Sequence, residues 1–178
     1  MSQIVFAQEP DVLPLHGVTA PSFKELADIA IKDLRAYGPS SIVCGPITTG
    51  GTGYQVLNLE IFNAVIHGLR QQGEYVFTQI PYEFGLRRLV RAWEEQGNSG
   101  YCMPILEVFY ARLFESGLIE KGWFIPGWQS SFGTRYERNK LTEEGASIID
   151  LSRDEIFGFM RQKYPLAHVE RVLAHVSS

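Results

Sequence analysis

The residues best suited to chemistry in this 178-residue chain stand in the run Pro126-Gly127-Trp128-Gln129-Ser130-Ser131-Phe132-Gly133-Thr134-Arg135-Tyr136-Glu137. An apolar stretch, residues 122–125, precedes it, and a charged stretch, 138–144, follows. The pattern predicts a strand, a Gly/Ser turn and a helix with an acid in its first turn. Backbone N–H groups at such a helix start lack partners within the helix and favour anions. Glu137 then sits beside whatever the turn holds, and it is the first candidate for covalent chemistry. The competing reading is an acid favoured by the helix dipole and left in solvent.

A second loop carries similar potential. Gly45-Pro46-Ile47-Thr48-Thr49-Gly50-Gly51-Thr52-Gly53 lies between a predicted strand and a predicted helix. Its amides and threonine hydroxyls can cradle a phosphate or a sugar hydroxyl. It lacks the Gly-Lys-Ser/Thr of a phosphate-binding P-loop and the spacing of a dinucleotide fingerprint. Trp128 reads either as a packed tryptophan or as a wall for a flat base or sugar. Ser131 reads as a helix cap, as an anion donor, or as both. Glu107 lies in an apolar helical stretch and is either at the solvent boundary or turned toward the sheet edge. The four histidines (16, 67, 168, 175) have no metal-like spacing to one another or to the acids.

These residues need elements to hold them. Ser22 and Glu25 have the form of a capping box. Phe23, Leu26, Ala30 and Leu34 continue it at helical spacing until Gly38-Pro39. Residues 41–45 form a short apolar strand. Leu59, Phe62, Ile66 and Leu69 predict an amphipathic helix ending at Gly73. Residues 75–78 predict a second strand. Two helices follow, over 82–96 and through Ile105, Phe109 and Leu113. The strand 122–125, a helix to Gly145, a strand at 146–151, the Ser152/Glu155 capping box and a closing helix through Leu166, Val169, Leu173 and Val176 complete the chain. The strand–helix–strand alternation predicts parallel pairing in an α/β sandwich of at least four strands. Ligands in such sheets bind beyond the carboxyl ends of the strands, where both loops fall.

Composition narrows the classes. The hydrophobic fraction of 45% supports a real core, and the net charge of −4 argues against a general nucleic-acid binder. Cys44 and Cys102 suggest neither a disulfide framework nor a metal site. No secretory signal and no run of about 18 apolar residues is visible, so the expectation is a cytoplasmic protein without membrane attachment.

Two motifs together resemble the nucleoside 2-deoxyribosyltransferase-like superfamily, which includes deoxyribosyltransferases and nucleoside-monophosphate N-glycosidases. Val43-Cys44-Gly45-Pro46 with Thr48-Thr49-Gly50-Gly51 looks like its first substrate loop. Pro126-Gly127-Trp128 with Ser131-Phe132-Gly133-Thr134-Arg135-Tyr136-Glu137 is similar to its nucleophile motif. The similarity covers about residues 41–151. It implies that Glu137 attacks the anomeric carbon, and that Ser131 belongs to the branch gripping a 5′-phosphate. It also implies that Gly45, Pro46, Thr48, Thr49, Gly50, Gly51, Trp128, Ser131 and Gly133 bind substrate. The family supplies an aspartate upstream of the motif. This chain has no Asp between Asp33 and Asp150, and Glu107 is the substitute by position.

The expected fold is a single Rossmann-like or flavodoxin-like domain, with a mostly parallel sheet of four to five strands flanked by helices. An N-terminal arm and helix (1–40) and C-terminal helices (152–178) flank the 41–151 core. The expected activity is cleavage or transfer at an N-glycosidic bond, with a nucleoside 5′-monophosphate preferred. A nucleotide-binding or sensing module is the alternative. No cofactor or metal is needed, because two carboxyls supply the chemistry. The expected partner is a small nucleotide or nucleoside rather than a nucleic-acid polymer, and the resemblance makes a homodimer plausible.

Overall fold

The computed structural model describes residues 17–48 and 50–176. Helix α1 (Phe23–Tyr37) starts where its cap predicts, with the Ser22 side chain accepting from the Glu25 amide. Strand β1 (Ser40–Cys44) is buried along its whole length. Helix α2 (Gln55–Gln71) and the short strand β2 (Val76–Phe77) follow. Helix α3 (Ile80–Glu95) leads to a π-helical turn, Ile105–Tyr110, that continues as α4 (Ala111–Glu115). Strand β3 (Ile119–Phe124), a 3₁₀ turn (Trp128–Ser130) and α5 (Phe132–Glu143) form the strand–turn–helix predicted around Glu137. Strand β4 (Ser147–Asp150) and helices α6 (Arg153–Arg161) and α7 (Leu166–Leu173) close the domain.

The four strands pair in parallel in the order β2-β1-β3-β4. The chain is thus one α/β domain of the Rossmann-like or flavodoxin-like kind. Strand β3 begins three residues before the apolar run because Glu120 and Lys121 belong to it. Lys121 lies in register with Ser41 and Ser147, and its ammonium holds Glu74 at 2.8 Å. Apolar patterning alone misses such a polar strand start.

Two cores lie on opposite faces of the sheet. On one, α2, α6 and α7 pack on Val43, Ile125 and Leu151. On the other, α1, α3, the π turn, α4 and α5 pack on Ile42, Cys44 and Phe124. The terminal helices therefore supply core: Leu26, Ala30 and Leu34 fill one face, and Ile156, Phe159 and Met160 the other. Gly68 lets α2 and α6 meet closely, because a Cβ there would overlap the Phe159 ring.

The order places β2 and β3 on either side of β1. Connections from β1 and β3 leave the sheet on opposite faces, and that divergence opens a crevice between their carboxyl ends. The two loops of interest start side by side: the Ile125 amide donates to the Cys44 carbonyl at 2.9 Å. A Cβ on Gly45 would press on Ile125 at 3.0 Å.

Candidate functional site

A cleft of about 430 Å³ opens at this carboxyl edge. Gly45, Ile47 and Thr48 from the β1 loop form one side, and Ser131, Gly133, Thr134 and Glu137 from the start of α5 form the floor. Helix α3 supplies the opposite wall. Tyr101, Ile105, Leu106 and Tyr110 close the end. The side chains at 105, 106 and 110 all reach the cleft from the wide π turn, a winding that often marks functional positions.

Glu137 is the buried acid of the site, keeping 9% of its accessible surface. Burial pushes its carboxyl up to about 8. A hydrogen bond from the Cys44 thiol pulls it back, and the charge of Glu83 adds to the rise. The thiol itself is held protonated, first by burial and then by the charge of Glu137, so it acts as a donor. Burial also pushes Glu83 up to about 7, against the pull of Arg87 one turn along α3. The two carboxyls line one cleft, and Glu137 resists ionisation further while Glu83 is charged.

The start of α5 faces the same space. Ser131 caps the helix, its hydroxyl accepting from the Thr134 amide at 3.3 Å. The Phe132 and Gly133 amides occupy the first two helical positions, where no intrahelical acceptor exists. A Cβ on Gly133 would meet the Tyr101 hydroxyl at 2.8 Å, so the glycine lets that tyrosine lie over the helix start without a shift of its ring. Tyr101 rests on Phe132, ring centroids 5.0 Å apart, and remains 48% exposed at the mouth.

The glycine pair of the β1 loop has a different task. Gly50 and Gly51 adopt φ of +78° and +60°, open to glycine and strained for other residues. The Gly51 amide donates to Ser130 Oγ at 3.0 Å, and Ser130 donates in turn to the Gly127 carbonyl at 2.6 Å. The two loops are thereby tied together behind the cleft. Asn58 braces the same loop from within α2. Its Oδ1 accepts from the Thr52 amide at 2.9 Å and the Thr52 hydroxyl at 2.7 Å. Its Nδ2 donates to the carbonyls of Ile47 at 3.2 Å and Gly50 at 3.1 Å. Asn58→Ala strands buried partners and should cost about 2–4 kcal/mol. Urea unfolding checks this, and Asn58→Asp, which keeps the acceptor and loses the donors, should recover only part of the loss.

Of the residues singled out in the sequence, Gly45, Thr48, Ser131, Gly133 and Glu137 meet at the cleft. Pro46, Gly50 and Gly51 shape the loop behind it, with Pro46 against Gly51. Thr49 lies outside the described residues. Two of the residues lie elsewhere. Trp128 does not line the cleft: it packs edge-on against Phe124, centroids 5.8 Å apart, beneath the Arg138 guanidinium at 4.3 Å. Glu107 is exposed on the far side of the π turn, where its charge acts on Tyr136 rather than Glu137. The π winding turns Leu106 and Tyr110 inward, and residue 107 points away.

The acid that acts on Glu137 is Glu83, on the charged helix α3. Glu83, Leu86, Arg87, Val90, Arg91 and Glu94 recur at spacings of three and four and line the cleft together. The signal was a mixed polar and apolar stripe beside the apolar one that packs α3 onto the sheet.

A larger hollow, about 830 Å³, lies at the β2 edge, remote from both carboxyls. Its charged groups are committed to one another's neighbours: Asp33 accepts from the Tyr82 hydroxyl, Glu74 holds Lys121, and Arg70 donates to the Val76 carbonyl. The smaller cleft holds both raised carboxyls. Among the described residues no group of three or more His, Cys, Asp or Glu is placed to hold a metal. No helix among them is long and apolar enough to cross a membrane.

Fold and site together define a doubly wound α/β domain with an enclosed pair of carboxyls at the carboxyl edge of its sheet. No protein-family model, curated protein or solved structure matches the chain significantly.

Proposed function

We propose that the protein cleaves or transfers at the N-glycosidic bond of a nucleotide or nucleoside, with hydrolysis of a nucleoside 5′-monophosphate preferred. The observation that carries this reading is the Glu137–Glu83 pair, a buried and a half-buried carboxyl lining one cleft beside an anion-favouring helix start. One ionised and one protonated carboxyl are the two groups a retaining glycosyl transfer requires; Glu137, raised further, holds the proton at rest, and the reactive form carries it on Glu83 instead.

In the first step a Glu137 oxygen bonds to the anomeric carbon. The carbon–nitrogen bond breaks, its electron pair passes to the base nitrogen, and the Glu83 proton goes to the base. In the second step a water oxygen attacks the same carbon, and the ester bond to Glu137 breaks. Glu83, now a carboxylate, accepts the water's proton. A second base in place of water gives transfer. The Cys44 thiol supports Glu137 as the leaving carboxylate. Ser131 and the Phe132 and Gly133 amides suit a 5′-phosphate, and Thr48 suits the sugar.

A binding or sensing module would gain if Glu137 were neutralised by an arginine. Among the described residues no ion pair engages Glu137, and the adjacent Arg138 is committed to Asp150 at 2.6 Å. That favours the enzyme. The test is a panel of nucleosides and nucleotides followed by chromatography for free base, with and without an acceptor base. Release of base from monophosphates without acceptor supports hydrolysis, exchange only with acceptor supports transfer, and no release from any substrate sinks the reading.

A further inference from the structure

The hollow of about 830 Å³ at the β2 edge shares no lining residue with the cleft that holds Glu137 and Glu83. Its volume falls within the range of small-molecule sites. Tyr37 at the end of α1, Tyr75 just before β2, Phe77 on β2 and Tyr82 on α3 all line it. Tyr37 and Tyr75 keep 73% and 68% of their surface in solvent, more than any other large apolar residue among those described. The buried Tyr82 ring stacks on Phe77, with centroids 5.7 Å and planes 24° apart. Two fixed rings and two exposed rings thus border one space.

The charges in the hollow are unevenly matched. Glu74 is neutralised by the Lys121 ammonium, which lies 2.8 and 3.0 Å from its two oxygens. Arg70 is exposed, so water screens its charge, and its guanidinium donates to the Val76 carbonyl at 2.8 Å. Asp33 is half-buried, and its partner is neutral: the Tyr82 hydroxyl donates to its Oδ2 at 2.5 Å. No ion pair among the described residues engages Asp33. Burial first, then the bond to Asp33, holds the Tyr82 hydroxyl protonated, so it remains a donor. A carboxylate drawn partly out of water without a cation is left at a cost that an arriving cation relieves. Aromatic faces attract the same kind of ligand through the ring quadrupole.

The geometry points to this hollow as a binding site for a small organic ammonium ion, with its N–H group on Asp33 and its carbon body against the four aromatic rings. A bare metal cation leaves the rings in water, and a neutral aromatic molecule leaves Asp33 without a counter-charge. A further strand is also disfavoured at this edge. The Tyr75 carbonyl accepts from Ser41 on β1, so the Val76 carbonyl points outward, and Arg70 already occupies it.

The test uses the full chain with 2-phenylethylammonium as the probe, and 2-phenylethanol and 3-phenylpropionate as its neutral and anionic counterparts. Calorimetry measures affinity, and amide chemical shifts locate the site. The ammonium ion should bind about tenfold or more tightly than the alcohol, from a charge-assisted hydrogen bond and the ring contacts. The shifts should fall on residues 33–37 and 75–78. Asp33→Asn keeps an acceptor for Tyr82 and removes the charge, so the preference for the ammonium ion should vanish. Tyr37→Ala and Tyr75→Ala change exposed side chains and should each weaken binding by about two- to fivefold.

Equal binding of the alcohol, tighter binding of the carboxylate, or a preference that survives Asp33→Asn overturns the assignment. Shifts at Gly133 and Glu137 in place of the β2 edge do the same. Should Asp33→Asn not fold, the tyrosine variants decide, and unchanged affinity in both overturns it. A chain that binds none of the probes overturns it as well. If that chain sediments as a dimer which Tyr75→Ala dissociates, the face belongs to a second copy instead.

Discussion

Glu137→Gln is expected to abolish base release and, in the same protein, to raise stability at alkaline pH. The amide cannot form the glycosyl ester, so kcat/KM should fall by about 10⁴-fold or more, as for other lost nucleophiles. The stability effect follows from linkage. The Glu137 carboxyl is raised from 4.5 to about 8 and Glu83 to about 7, so between those values the folded state binds more protons than the unfolded chain. Stability then falls as pH rises from roughly 4.5 through 8. The carboxyls held low work in a different window. Asp28 is held down by Arg112 first, Asp150 by Arg138 and Glu155 by Ser152, and their stabilisation is lost only as pH drops through the acid range.

Thermal melts of the wild type should therefore decline from pH 5 to pH 8.5, with Glu137→Gln flatter and more stable at the upper end. A nucleophile held in a buried site at the expense of stability gives this signature. Turnover undiminished in the variant would remove Glu137 from the mechanism. A wild-type melting temperature that climbs across the window would show that the two carboxyls are not raised in the folded protein.

The second large effect belongs to Glu83→Gln. Loss of a positioned proton donor should lower kcat/KM by about 10²–10⁴-fold. The active form of the wild type is the singly protonated pair, so its kcat/KM should be bell-shaped with a maximum between about 7 and about 8. Those limbs belong to the pair as a whole. In Glu83→Gln the burial that chiefly raises Glu137 remains, and the smaller contribution of the Glu83 charge is gone. The alkaline limb should disappear, leaving a single acid limb that belongs to Glu137 and still lies above the ordinary carboxyl range. A p-nitrophenyl leaving group needs no protonation, so it should restore most of the lost rate in this variant. Glu107→Gln should leave the rate unaltered, because that side chain is exposed outside the cleft. A rate loss in Glu107→Gln equal to that in Glu83→Gln would reverse the assignment of the second acid.

The two acids differ in how far the sequence reveals them. Glu137 was legible because its setting is local: an apolar strand, a Gly/Ser turn and a capped helix occupy consecutive residues, and that order puts the first turn of α5 at the sheet edge. Glu83 was not. Its place depends on α3 packing with α1 and the π turn over the second face of the sheet. Its neighbours in sequence, Tyr82 and Leu86, report burial without reporting which cleft the intervening face meets. Glu107 failed for a related reason. An α-helical reading of residues 105–115 assigns faces at 3.6 residues per turn, and the π winding shifts them. Trp128 lies in the expected turn, yet Arg138 and Phe124 draw its ring to the outer side.

By itself, then, the sequence determined the alternation of strands and helices, the capping boxes at Ser22 and Ser152, and the meeting of two Gly-containing loops at the carboxyl edge of a parallel sheet. Those features are encoded by periodicity, caps and turns, which act over a few residues. Tertiary structure alone decided that Glu83, not Glu107, faces Glu137, that Cys44 donates to it, and that Arg87 and Arg91 line the same cleft. Which side chains share a cleft is set by packing between distant segments. Burial there moves two ordinary glutamates up to about 7 and about 8, a change in chemistry with no local mark in the chain.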